Sequence, residues 1–112
     1  MPIENWSDNV LLVQLGDDPQ FTDDVTALLE TIEKNTSTDV VLDFQNVNFL
    51  NSSNIAKLLK LRKIQTANNH RKLKLCAIST HVWGVFLVTG LDKIFDVYDD
   101  VGSGLTSLQL EG

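Results

Sequence analysis

At 112 residues, 43% of them apolar and 21% charged, the chain has the make-up of one folded domain with a single ordinary core. A formal net charge of −6 speaks against nucleic acid as the main partner. No apolar run approaches the roughly 18 residues that a membrane-spanning helix needs, and the first residues show no signal-peptide pattern, so the expected setting is the cytoplasm, away from membrane.

In chain order, Ile3 to Trp6 suits a short edge strand and Val10-Leu11-Leu12-Val13-Gln14-Leu15 a clearer one. The polar segment between them suits a tight turn, which predicts a hairpin. Gly16-Asp17-Asp18-Pro19 ends the second strand. Phe21, Val25, Leu28, Leu29 and Ile32 then follow helical spacing, with Thr22 as candidate N-cap and Asp23 and Asp24 in the first turn.

Val40-Val41-Leu42-Asp43-Phe44 reads as a buried strand. A second apolar island, Val47 to Leu50, leads to Asn51-Ser52-Ser53-Asn54 and then to about a dozen good helix formers without Gly or Pro. Ile55, Leu58, Leu59 and Leu61 form the expected buried set of that helix, which should stop near Asn68-Asn69.

Lys72 to Ile78 predicts a strand entering the core, and Ser79 or Thr80 caps the next helix, with Val82, Trp83, Phe86 and Leu87 apolar and Gly90 as its terminator. Lys93 to Tyr98 predicts a last strand. Asp99 or Asp100 then caps a final helix with Val101, Leu105 and Leu108 on one face, a prediction weakened by Gly102 and Gly104. The order β-β-α-β-α-β-α-β-α implies an α/β fold, a mixed sheet covered by helices.

The chemistry-bearing residues are few. Cys76, the single cysteine, lies in an apolar run and reads as a small buried hydrophobe. His70 and His81 have no metal-pair spacing, and no phosphate-binding glycine loop or nucleophile elbow is present, so neither metal nor cofactor is expected. Asp17, Asp18 and Asp43 do not fit the placement of a receiver-type phospho-acceptor cluster, since the first two follow the second strand and Asp43 lies inside its own. A binding or switching module is therefore expected rather than an enzyme.

Seven of the nine Lys and Arg residues lie between Lys57 and Lys74, and no Asp or Glu lies between Phe44 and Leu91. That charge distribution reads either as a solvated helix face or as a basic patch beside the serines. The serines themselves stand at a helix start, where unpaired N–H groups and the helix dipole suit an anion. They are thus either a cap or a place where a phosphate could be carried.

The stretch Val40 to Phe44 with Val47-Asn48-Phe49-Leu50 and Asn51-Ser52-Ser53-Asn54 resembles the strand, apolar island and D-S-[ST]-G turn of the STAS domain, the fold of the bacterial anti-sigma factor antagonists. Lys72 to Ser79 and Thr89-Gly90-Leu91-Asp92-Lys93-Ile94-Phe95 are similar to two later stretches of that family, so the resemblance covers nearly the whole chain, residues 1–112, as one domain. It implies a regulatory protein that binds a serine kinase serving also as anti-sigma factor, with a phosphatase resetting it.

Carried over by position, Ser52 is the phospho-acceptor, and Asn51, Ser52, Ser53, Asn54, Ile55 and Lys57 form the partner-binding surface. The family's Asp is here Asn51 and its Gly is Asn54. The first change removes a charge beside the serine. The second puts a side chain where a partner would come close. Both changes give weight to an alternative, a phosphorylation-independent scaffold or an accessory subunit of a signalling or lipid-transport complex. A third reading is a small-ligand or nucleotide site walled by Lys57 to Lys63.

Overall fold

The computed structural model describes residues 3–111. Strand β1 (Ile3–Ser7) pairs antiparallel with β2 (Val10–Gly16), the expected hairpin. Helix α1 (Gln20–Lys34), β3 (Asp39–Asn46), α2 (Ser52–Arg62), β4 (Leu73–Cys76), α3 (Thr80–Thr89), β5 (Asp96–Tyr98) and α4 (Val101–Glu111) follow. From β2 onward all pairs are parallel, and the strands lie side by side in chain order, β1-β2-β3-β4-β5. This is the expected single α/β domain with a mixed sheet.

The alternating side chains of the strands divide the interior in two. Leu11, Val13 and Leu15 of β2, Val40, Leu42 and Phe44 of β3, and Leu73 and Leu75 of β4 meet α1, α2 and α3 on one face. All five apolar positions of α1 named from the sequence are buried there. Phe44 is the hub, with its ring edge-on to Phe21 of α1 at 6.4 Å and to Phe86 of α3 at 6.3 Å. On the other face α4 covers a smaller cluster built on Val41, Cys76 and Leu108. Cys76 is fully buried, and burial first, then the charges of Asp43 and Asp100, pushes its thiol up to about 11. That is a packing residue rather than a thiolate nucleophile.

Several expectations shift by a residue or two. Leu59 is 40% exposed and Leu87 is 54% exposed. Each is the second of an adjacent apolar pair, about 100° round the helix from a partner that faces the core. Helix α2 continues through one π-helical stretch, Lys63–Asn68, to the predicted stop. Strand β4 is shorter than Lys72 to Ile78 because Ala77 takes a left-handed backbone (φ 60°). The front of the predicted last strand is instead a 3₁₀ turn, Leu91–Lys93, behind the left-handed Gly90 (φ 76°). Thr22 does not cap α1. It lies inside the helix and donates from N and Oγ1 to the Asp18 carboxylate at 2.9 and 2.7 Å. Ser79 and Asp100 do receive the first N–H groups of α3 and α4.

Candidate functional site

In a sheet whose strands run in chain order, every crossover helix between parallel strands falls on the same face. There is no point where the winding reverses, and so no crevice of the doubly wound kind at the strand ends. The β3–α2 connection carries the candidate site instead, and the serines open the helix that follows it.

The loop is held by two carboxylates from the β2–α1 connection. Asp17 Oδ1 accepts from the N–H groups of Asn48 (2.7 Å) and Phe49 (3.2 Å), and its Oδ2 accepts from Asn48 Nδ2 at 2.9 Å. Asp18 Oδ2 accepts from Asn54 Nδ2 at 2.9 Å and from Asn51 Nδ2 at 3.4 Å. Asn51 is the N-cap of α2. Its Oδ1 takes the Asn54 N–H at 2.7 Å, while the Asn54 Oδ1 takes the Asn51 N–H at 3.1 Å. The two residues that depart from the family motif thus form a reciprocal capping box, tied by both amides to Asp18.

The consequences differ along the motif. Asn54 is 3% exposed and turned toward Asp18, so its side chain shapes the surface from beneath rather than standing where a partner would approach. Asn51, Ser52 and Ser53 are exposed, and Ile55 and Lys57 are half-buried. Ser53 Oγ lies 2.8 Å from Lys57 Nζ. With Asn51 serving as cap and Ser53 held by Lys57, the Ser52 hydroxyl has no hydrogen-bond partner among the described residues. Beside the loop Phe49 is 67% exposed, its ring edge-on to His81 at 5.7 Å.

The basic patch is not assembled beside the serines. Among the described residues only Lys57 bonds to one of them. Arg62 and Arg71 lie at the far end of α2, and Lys74 is buried, with its ammonium 3.1 Å from the Asp96 carboxylate and 5.4 Å from the Tyr98 ring centre. Sequence reasoning treated Asp17 and Asp18 as turn residues. Nothing in their spacing announces bonds to residues 31 to 36 positions away.

The Asp18 hydrogen bonds, from Asn54 first and then Thr22, lower its carboxyl to about 2, and those from Asn48 lower Asp17. A carboxyl depressed by folding contributes stability that is full above its unfolded value, 3.8 here, and is lost as pH falls through the folded value, about 2. We expect wild type and Asp18→Asn to differ in urea midpoint at pH 5, and that difference to shrink between about pH 4 and 2. A difference that stays constant over this range would mean the clamp is not ionic.

Among the described residues no group of three His, Cys, Asp or Glu side chains is arranged to hold a metal ion, and no helix is long and apolar enough to cross a membrane. Solved structures with the same fold include an anti-sigma factor antagonist candidate from Thermotoga maritima (15% identity, 96% of this chain and 93% of that one, TM-score 0.82). RsbS of Moorella thermoacetica matches with 18% identity over 96% and 93% of the two chains, TM-score 0.80. The Bacillus cell fate determinant SpoIIAA in its phosphorylated form matches with 16% identity over 90% and 93%, TM-score 0.67. The family model of the STAS domain matches residues 19–104, a span that begins just after the two clamp carboxylates and holds the serine loop, α1 to α3 and the first turn of α4, and the chain belongs to the STAS domain family.

Proposed function

We propose that the chain is a non-enzymatic regulatory interaction module of the anti-sigma factor antagonist type, switched by phosphorylation of Ser52. The kinase would be a partner that also serves as anti-sigma factor, with a phosphatase resetting the module in the cytoplasm. The observation that carries this reading is the exposed, unbonded Ser52 hydroxyl at the first residue of α2. A phosphate there adds about −1.5 to −2 charges and meets the positive end of the helix dipole. It also changes the sign and bulk of a surface formed by Asn51, Ser52, Ser53, Ile55 and Lys57 over the buried Asn54. SpoIIAA, similar in fold, is known in a phosphorylated form.

The test is mass spectrometry of the protein purified from its own cells in several growth conditions, followed by partner binding. Phosphate on Ser52 that varies with condition, and a Ser52→Asp variant that binds the partner kinase at least about tenfold more weakly than wild type, are expected. Complete peptide coverage of Asn51 to Asn54 with no phosphate in any condition would sink the switch.

A second reading, a phosphorylation-independent scaffold subunit, draws on the same loop. Asn54 takes the family's glycine position and locks the loop to Asp18, and Phe49 offers an exposed apolar contact. That reading expects a stable complex unchanged by Ser52→Asp.

A further inference from the structure

Three of the seven clustered cations, Arg62, Arg71 and Lys72, gather at the opposite end of α2 from the serines. A cleft of about 300 Å³ lies there between the end of α2, the residues leading into β4 and the Ile94–Asp96 turn. Its rim carries Arg62, His70, Arg71 and Lys72, and its floor is the apolar pair Leu73 and Phe95. In a chain of net charge −6 this concentration of cations is against the overall balance. One carboxylate, Asp96, also lines the cleft, and it is engaged by the Lys74 ammonium at 3.1 Å.

Both guanidinium groups are fixed by one edge. Arg62 Nε donates to the Ile94 carbonyl at 3.0 Å, and Arg71 Nε donates to Asp39 Oδ1 at 3.0 Å. No further hydrogen bond holds their Nη atoms among the described residues. A planar fork already held in place loses little freedom when it takes a second partner, and its geometry matches a phosphate through paired N–H groups.

A second, independent observation concerns His70. Its backbone is left-handed (φ 56°), the conformation that commonly ends a helix, and the Arg71 N–H behind it donates to the Gln65 carbonyl at 2.9 Å. This helix-ending turn places an exposed imidazole at the rim of the cleft.

We propose that this cleft binds a small phosphate monoester of about sugar-phosphate size, gripped by the Nη atoms of Arg62 and Arg71 and by His70 over the Leu73–Phe95 floor. The volume is at the small end of ligand sites. The site lies about 15 Å along α2 from Ser52, from the rise of 1.5 Å per residue, and does not depend on the reading of that serine.

The test is a titration of the full chain with glucose 6-phosphate, followed by backbone amide NMR and thermal melting, with glucose and sulfate as controls. Saturable shifts at Arg62, His70 and Arg71 but not at Ser52 to Lys57, and binding at least about tenfold tighter than sulfate, are expected. Arg62→Gln should weaken binding about tenfold. His70→Gly should weaken it as well while raising the melting temperature of the unliganded protein, which separates a ligand contact from a structural role. The proposal is overturned by no saturable response at millimolar ligand, by an equal response to sulfate, by shifts centred on Ser52, or by unchanged affinity in both variants.

Discussion

Phe44→Ala is expected to remove about 3–5 kcal/mol of folding stability, the largest loss from any single substitution considered for this chain. The ring is fully buried, and it bridges α1 and α3 through edge-on contacts with Phe21 and Phe86. Such pairs contribute about 0.5–1.5 kcal/mol beyond the area they bury, and the void left behind lies between two helices and a central strand that cannot collapse independently. Against a total of about 5–15 kcal/mol for a domain, that is a large share. Phe44→Leu keeps most of the volume and should lose much less. Urea midpoints for both variants check this, and a loss below about 1 kcal/mol for the alanine would show that the ring is not the hub of the core. The effect also reaches the site, because Phe44 lies only eight residues before Ser52 and the Val47 N–H, in the loop between them, donates to the Phe44 carbonyl at 2.9 Å.

Two glycines of α4 should respond to alanine with opposite signs. At Gly104 an added Cβ would overlap Cys76 Sγ and come within 3.7 Å of Val41 Cγ1. Helix propensity favours alanine by about 1 kcal/mol, yet overpacking of this kind costs at least the upper end of about 1–3 kcal/mol. The collision wins, because Cys76 is a short side chain on a central strand with nowhere to swing, and Gly104→Ala should destabilise by about 2 kcal/mol. Removing the sulfur in Cys76→Ala/Gly104→Ala should recover much of that loss, a coupling of order 1–3 kcal/mol in a double-mutant cycle. At Gly102 the nearest atom to an added Cβ is Asp100 Oδ1 at 3.4 Å, an ordinary contact, so Gly102→Ala should stabilise by about 0.5–1 kcal/mol. Additive behaviour of Cys76 and Gly104 would refute the close approach of α4 to β4.

These two glycines show where sequence reading runs out. Their presence in the final helix reads as weakness, whereas one of them sets how closely that helix lies on the sheet. Periodicity sufficed for α1, whose five spaced apolar residues are all buried, because a single stripe facing a single layer leaves no ambiguity. It failed at Leu59 and Leu87, where two apolar neighbours share a turn and only the position of the next helix decides which turns inward. At the candidate site the resemblance pointed to Ser52, whereas the cap of α2 is Asn51 rather than the serines that the local sequence offered for it. The Asp18 clamp was not readable locally, since a bond from Asp18 to Asn54 is a property of how two loops meet. Charge clustering misled for the same reason. Lys57 and Arg62, five residues apart in the chain, serve opposite ends of one helix.

The side-by-side order of the strands has a further consequence, for the way the molecule is made. Each strand pairs with the one synthesised just before it, so the nascent chain never holds a strand open for a distant successor. The hairpin can form first, α1 and β3 can then close onto it, and every later unit adds to an edge that already exists. The last piece, α4, seals the second face of the sheet over Val41 and Cys76 only after β5 has been laid down. The growing edge is thus exposed for one unit at a time, which limits the interval in which unpaired backbone is available to other chains.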